Sequence, residues 1–100
     1  MAGYKFTKKA VEDLTQIWVY TCDKWSENQA DRYYRMLLDN CGDLADNPDS
    51  GKIYSEVATD LWGRNAGRHI IFYRRVENGD IEIIRILHGQ MDLKHRIREK

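Results

Sequence analysis

The stretch of residues 67–92, GRHIIFYRRVENGDIEIIRILHGQMD, constrains the fold more than any other part of the chain. Two runs rich in β-branched and aromatic residues, 69–76 and 81–87, flank Asn78-Gly79, and this pattern predicts a β-hairpin. Asn tolerates, and Gly readily adopts, the positive φ that both central residues of a type I′ turn need. Apolar residues occur on both faces of each run. A sheet of this kind needs a cover on both faces.

Two amphipathic helices are predicted upstream, at about residues 8–22 and 27–46. Thr7 is a suitable N-cap for the first, and Ser26 with Gln29 forms a capping-box pattern for the second. A proline directly after an asparagine ends the second helix. The positions expected to face the sheet are Ala10, Leu14, Ile17, Thr21, Ala30, Tyr33, Leu37, Cys41 and Leu44. Those expected to face water in the first helix are Lys8, Glu12, Asp13 and Gln16.

The remaining segments complete a small α+β domain. Residues 4–6 show the alternating pattern of an edge strand, and residues 52–58 fit a loop or short strand. Residues 61–67 contain two glycines and are predicted to form a connection into the hairpin. We therefore predict one domain over residues 1–100. In it, an N-terminal edge strand and an antiparallel helical hairpin pack on one face of a small antiparallel sheet that is followed by a short basic tail. The helical hairpin covers one sheet face, and we expect a partner to cover the other.

Composition narrows the functional classes. An apolar fraction of 42% and a single proline argue against disorder. No apolar run approaches membrane-span length and the N-terminus lacks a signal-like core, so we expect a cytoplasmic protein. Residues 1–60 carry seven Lys/Arg against eleven Asp/Glu, whereas residues 61–100 carry nine against five. This asymmetry indicates an anionic target, an acidic partner, or both.

The titratable residues give no strong catalytic or metal-binding motif. His69 and His88 lie near predicted strands, with Tyr73 and Glu82 in the neighbourhood, but half-buried strand histidines explain them better than acid–base catalysis. Three dispersed histidines and two distant cysteines lack ligand spacing, so no metal or cofactor is expected. Candidate anion-binding arginines are Arg64, Arg68, Arg74, Arg75, Arg85, Arg96 and Arg98. A net charge of zero disfavours direct nucleic-acid binding and favours contacts with a protein's carboxylates.

Several segments, taken together and in order, resemble the ParE toxins of the RelE/ParE superfamily of toxin–antitoxin systems. The matching segments are Ala10-x-x-Asp13-Leu14-x-x-Ile17-x-x-Tyr20, Trp25, Ala30-x-x-Tyr33, Leu44-Ala45-x-x-Pro48-x-x-Gly51, His69 to Arg74 and Ile83 to Asp92. Gln90 departs from the family's closing block, which usually has Arg there. The resemblance covers about residues 4–97, nearly the whole chain.

The resemblance implies a non-enzymatic protein that binds DNA gyrase, stabilises its cleaved-DNA complex, blocks replication and is neutralised by a ParD-like antitoxin. The alternatives are a RelE-like mRNA endoribonuclease, whose usual constellation is incomplete here, and a non-toxic remnant that still pairs with an antitoxin. The residues expected to contact gyrase are His88, Gln90, Met91, Asp92, Lys94, Arg96 and Arg98. The residues expected to contact the antitoxin are Trp18, Trp62, Arg68, Ile71, Tyr73 and Arg85.

Overall fold

The computed structural model describes residues 3–89 and residue 97, and two helices and five strands lie within this range. The elements are β1 (Tyr4–Phe6), α1 (Lys8–Lys24), α2 (Glu27–Asp46), β2 (Lys52–Ile53), β3 (Trp62–Ala66), β4 (His69–Arg75) and β5 (Ile81–His88). Neither helix is long and apolar enough to cross a bilayer. The α+β architecture of a helical hairpin on a small sheet is confirmed.

The helices begin where their capping residues predict. The Thr7 hydroxyl accepts a hydrogen bond from the Ala10 N–H at 3.1 Å, and the Ser26 hydroxyl accepts one from the Gln29 N–H at 3.1 Å. Each bond satisfies a backbone donor that has no partner within the helix. Helix α2 ends at its C-cap Asn47, immediately before the proline that forbids continuation.

The sheet has the strand order β1-β5-β4-β3-β2, and it differs from the prediction at two places. Strand β1 pairs parallel to β5, with Tyr4 opposite Ile81; a parallel pair needs a long connection, and the two helices and strands β2 to β4 lie between β1 and β5 in the chain. The predicted connection at residues 61–67 contains a strand, Trp62–Ala66, that pairs with β4. Its Gly63 permits close packing, since a Cβ there would lie 2.7 Å from the Tyr54 ring.

The turn between β4 and β5 has positive φ at the two predicted residues, but it is longer than a two-residue hairpin turn, because Arg75 pairs with Ile81 and Glu77–Gly79 forms a 3-10 turn. Asn78 has a φ of 71° and Gly79 a φ of 80°, both in the left-handed region. The connection is closed by a hydrogen bond from the Val76 N–H to the Asp80 carbonyl at 3.0 Å. A second reversal joins β3 to β4 through only two residues, and there Gly67 has a φ of 60°. Positive φ at the first central position is what a type II′ turn requires.

The helical hairpin buries one face of the sheet as predicted. Leu14, Leu37 and Leu44 are at most 4% exposed and Ile17 is half-buried. The sheet residues in the same cluster are Ala66, Ile71, Tyr73, Ile81, Ile83 and Ile86. This cluster positions β4 and β5 beneath the two helices.

The opposite face of the sheet is covered by the chain itself, so the prediction of a spare apolar face is wrong. Ile70 and Phe72 on this face are 8% and 0% exposed. They cluster with Val57 and Leu61 from the segment that links β2 to β3 and with the partly buried Ile97. The physical reason is that this segment is long enough to fold back across the strands.

Candidate partner-binding groove

A groove of about 510 Å³ lies between the helical hairpin and the end of the sheet where β4 begins and β5 ends. We call it the hairpin groove. Its lining residues are Asp13, Gln16, Ile17, Tyr20, Thr21, Trp25, Gln29, Tyr33, Arg68, His69, Arg85, Ile86, Leu87 and His88. They come from both helices and the connection between them, from the β3–β4 turn, and from β4 and β5, so only the folded chain assembles the groove.

Two large aromatic side chains on the helical side of the groove are open to solvent. Tyr20 is 62% exposed and Trp25 is 61% exposed. Tyr20 belongs to α1 and Trp25 caps its C-terminus, which brings both rings to the same end of the helix. The half-buried Ile17 and the buried Ile86 add apolar surface. Exposed aromatic residues beside a concave apolar surface are typical of protein-binding sites.

A buried ion pair joins α1 to β5 at the base of the groove. The Arg85 Nε and a terminal guanidinium nitrogen donate to the two Asp13 carboxylate oxygens at 2.8 and 3.0 Å. The Ile86 N–H also donates to Asp13, at 3.0 Å. Asp13 is only 9% exposed, so its predicted solvent-facing position is wrong. The reason is that these donors offset the cost of removing the carboxylate from water.

A second polar cluster lies at the β3–β4 turn. The Arg68 N–H donates to the Tyr33 hydroxyl oxygen at 2.9 Å, and the same oxygen lies 2.6 Å from His69 Nδ1. Burial lowers the pKa of His69 to about 4, with a further contribution from His88 that Asp13 partly opposes. Burial also raises the pKa of Tyr33, against the effect of the Arg68 N–H and charge. Both side chains are therefore uncharged at neutral pH.

His69 and His88 occupy paired positions on β4 and β5, and their rings meet edge-on with centroids 5.6 Å apart. The tyrosine beside them is Tyr33, not Tyr73 as the sequence suggested. Tyr73 lies elsewhere, where its hydroxyl donates to the Pro48 carbonyl at 2.6 Å. Within the described part of the chain, no three His, Cys, Asp or Glu side chains are grouped to hold a metal ion.

Three predicted antitoxin contacts are buried in the domain, which corrects their assignment to a binding surface. Ile71 and Tyr73 are 0% exposed beneath the helices, because alternate residues of β4 supply this face of the core. Arg85 is 6% exposed and bound to Asp13. Ile71 and Tyr73 are therefore core residues, and Arg85 is held at the base of the groove by Asp13, so none of the three is an exposed anchor.

The other predicted antitoxin contacts remain at least partly accessible, but they are dispersed. Trp18 donates its indole N–H to Asp31 at 2.9 Å and does not line the groove. Trp62 on β3 packs beside the Tyr73 ring, and the Arg75 guanidinium lies 5.4 Å from its ring centre. Arg68 is exposed and lines the groove. The structure thus brings only Arg68 of these three to the concave surface.

Several candidate anion-binding arginines bind carboxylates of the chain itself. Arg64 contacts Asp43 at 2.6 Å, Arg75 contacts Asp49, and Arg85 contacts Asp13. The basic character of residues 61–100 is therefore partly neutralised within the fold.

Most predicted gyrase contacts lie outside the described residues. Those positions are Gln90, Met91, Asp92, Lys94, Arg96 and Arg98. His88 is described, and it lies at the end of β5 as a lining residue of the groove.

Residue-by-residue reasoning missed the aromatic members of the groove. Tyr33 was expected in the core, and Tyr20 and Trp25 were given no role in binding. All three occur in the segments that resemble ParE toxins, and that resemblance was the available signal. Helical spacing alone gave no signal for these aromatic residues, because exposed aromatic residues do not form a periodic pattern.

The fold is shared with chains of two solved toxin–antitoxin systems. A chain from the structure described as "Chromosomal ParDE TA system from P. aeruginosa" matches with a TM-score of 0.75 at 19% identity, over 88% of this chain and 96% of that one. A chain from the Mycobacterium tuberculosis toxin–antitoxin complex RelBE2 matches with a TM-score of 0.58 at 20% identity, over 87% and 96% of the two chains. These similarities show that the chain has the fold of proteins from two solved toxin–antitoxin systems.

The chain belongs to the ParE toxin family of type II toxin–antitoxin systems, and the family match covers residues 4–93. Toxin ParE1 of Mycobacterium tuberculosis is 33% identical over 94 residues, which cover 94% of this chain and 96% of that protein. Toxin ParE1 of Caulobacter vibrioides is 31% identical with the same coverage.

Proposed function

We propose that a ParD-like antitoxin neutralises this toxin by placing an amphipathic segment in the hairpin groove. The observation that carries this proposal is the combination of exposed Tyr20 and Trp25 with a concave surface whose ionisable groups are mostly basic. Apolar side chains of the segment cover the rings, and acidic side chains complement the basic groups. Trp18 and Trp62 are secondary contacts outside the groove. The ParDE description of a solved relative supports an antitoxin of this type.

Calorimetry with the antitoxin encoded beside the toxin gene tests this proposal. We expect a negative heat-capacity change on binding, which marks the burial of apolar surface. Tyr20→Ala with Trp25→Ala should weaken binding and make the heat-capacity change less negative. The matched control is Val11→Ala with Val19→Ala, which shortens two exposed α1 residues that do not line the groove. Equal binding by both double variants would contradict the proposed location.

We further propose that the toxin acts in the cytoplasm by binding DNA gyrase without catalysing a reaction. Membership in the ParE family and the resemblance of residues 83–92 to its closing block support this target. The expected contacts are His88 and the tail residues named above. Purified toxin should inhibit gyrase supercoiling of plasmid and increase trapped linear DNA. Normal supercoiling at saturating toxin would exclude gyrase as the target.

The role of the tail is tested by replacing Lys94 and Arg96 together with Glu. Inhibition should fall and the wild-type effect should weaken as salt rises, because these charges act by steering and orientation. The matched control is Lys8→Glu with Arg35→Glu, which makes the same charge change on exposed helix positions. Thermal unfolding of both variants verifies the fold. Unchanged inhibition by a folded tail variant would remove the tail from the mechanism.

One observation favours a second function, cleavage of mRNA. Arg68, His69 and His88 converge in the hairpin groove, and general acid–base catalysis requires such convergence. The same toxin preparation should therefore be incubated with mRNA, free and in the presence of ribosomes. Cleavage that His88→Ala abolishes, with gyrase unaffected, would establish the ribonuclease function. A protein that binds its antitoxin but affects neither gyrase nor mRNA would be a non-toxic remnant.

A further inference from the structure

The charges lining the hairpin groove are unbalanced. Among the described residues that line it, Asp13 is the one carboxylate, and it is already bound to Arg85 and to a backbone N–H. Apart from these two residues and the tyrosines, the ionisable side chains on the described lining are Arg68, His69 and His88. Within residues 3–89, no acidic side chain forms an ion pair with the Arg68 guanidinium. An occupant that supplies a carboxylate near Arg68 would complement this lining.

The backbone of Arg68 is fixed on both sides, which positions its side chain at the groove. Its N–H donates to the Tyr33 hydroxyl at 2.9 Å, and its carbonyl accepts the Gly89 N–H at 3.3 Å. The preceding Gly67 supplies the positive φ of the two-residue turn. Any residue other than proline at position 68 can keep these backbone bonds. Within the described range, no ion pair holds the Arg68 guanidinium.

The hydrogen bonds around Tyr33 determine how His69 presents its ring. The Tyr33 oxygen already accepts from Arg68, so its own hydrogen points to another acceptor. His69 Nδ1 at 2.6 Å is a far closer acceptor than the Ala66 carbonyl at 3.5 Å. The shorter distance favours the neutral tautomer in which His69 Nδ1 accepts the Tyr33 proton and Nε2 carries the ring proton. The burial that lowers the His69 pKa to about 4 agrees with a neutral ring.

We propose that the Arg68 end of the hairpin groove is a carboxylate-binding site, in which the Arg68 guanidinium and the His69 Nε2–H bind one Asp or Glu side chain of the antitoxin. This inference rests on the antitoxin occupying the groove. Arg68 supplies the charge and a planar set of donors that matches a carboxylate. His69 supplies an uncharged donor in a fixed tautomer. The antitoxin segment therefore combines apolar residues that contact Tyr20 and Trp25 with one acidic residue that is required for full affinity.

A double-mutant cycle tests the site with the purified antitoxin as probe. Each Asp and Glu of its toxin-binding region is changed singly to Asn or Gln, and binding to wild-type toxin and to Arg68→Gln is measured calorimetrically. Arg68→Gln should weaken binding about 10- to 100-fold, because the loss of a charged hydrogen bond costs about 1.5–3 kcal/mol and each 1.4 kcal/mol is tenfold. Arg74→Gln, on the same sheet but outside the groove lining, is the matched control and should bind like wild type.

One acidic substitution should weaken binding equally and cause no further loss when combined with Arg68→Gln. Arg68→Lys, which keeps the charge but loses the planar donors, should give an intermediate loss. Additive losses at every acidic position, or Arg68→Gln binding like the Arg74 control, would overturn the carboxylate site while leaving the antitoxin proposal intact. An antitoxin that fails to bind wild-type toxin would refute the proposed function itself.

The His69 half of the site has its own measurement. A long-range ¹H–¹⁵N spectrum of the imidazole distinguishes a neutral Nε2–H ring from the other tautomer and from the charged ring. We expect the neutral Nε2–H pattern at pH 7 in the free toxin, with a shifted Nε2 resonance in the complex. Tyr33→Phe should loosen this preference, because Phe cannot donate to Nδ1. An Nδ1–H tautomer in the wild-type toxin, or an Nε2 resonance unmoved by antitoxin, would remove His69 from the site.

Discussion

Replacing Asp13 with alanine should destabilise the toxin by about 3–5 kcal/mol, the usual cost of removing one partner from a buried ion pair. The structure explains the size of the effect. Three N–H donors lose their acceptor, two from Arg85 and one from the Ile86 backbone. Both side chains of the pair are nearly enclosed, at 7% and 11% exposure, so water compensates poorly. Since a domain of this size is stable by only about 5–15 kcal/mol, this variant should be close to unfolding.

Urea unfolding followed by circular dichroism measures this loss. Glu12→Ala is the matched control, because it removes a carboxylate from the preceding, exposed position of α1 and should change stability by less than about 0.5 kcal/mol. Adding Arg85→Met to Asp13→Ala should recover part of the loss, because it removes the uncompensated buried charge. If Asp13→Ala costs no more than Glu12→Ala, the buried pair is not what joins α1 to β5.

Three further variants test other parts of the fold. Leu37→Ala should cost about 2–5 kcal/mol in urea unfolding, because it leaves a cavity at a fully buried position of the helix–sheet core. Gly67→Ala should destabilise the toxin more than Gly79→Ala and should also weaken antitoxin binding. Both glycines have positive φ, but only at Gly67 would a Cβ lie 2.7 Å from the Tyr33 hydroxyl. Equal losses of stability in the two variants would contradict this reasoning. Folding lowers the pKa of His69 from 6.5 to about 4, so between these pH values the unfolded chain binds a proton that the folded chain does not. The contribution of His69 to the free energy of unfolding is therefore complete above about pH 6.5 and falls toward pH 4. His69→Gln should show a shallower loss of stability across that pH range, and an identical pH profile would contradict the burial of His69.

The sequence by itself determined the local structure because the relevant signals are local. Thr7 and Ser26 bond N–H groups three residues away, so the helix starts could be read directly from capping patterns. Asn78 and Gly79 are residue types that tolerate positive φ, and both adopt it in the turn between β4 and β5. Periodicity likewise identified Leu14, Leu37 and Leu44 as the buried face of the helical hairpin.

The tertiary structure alone decided which residues form the groove, because their contacts span most of the chain. Asp13 looks solvent-facing on a helical wheel and becomes buried only when Arg85, 72 positions away, provides a partner. In the sequence pattern, Tyr33 is one of several apolar residues on the buried face of a helix. In the structure, the β3–β4 turn brings Arg68 and His69 to its hydroxyl. The second sheet face was expected to bind a partner, but in the structure it is part of the core, because Val57 and Leu61 pack over Phe72. Helical and strand periodicity report which face of an element is apolar, but not which distant segment covers it.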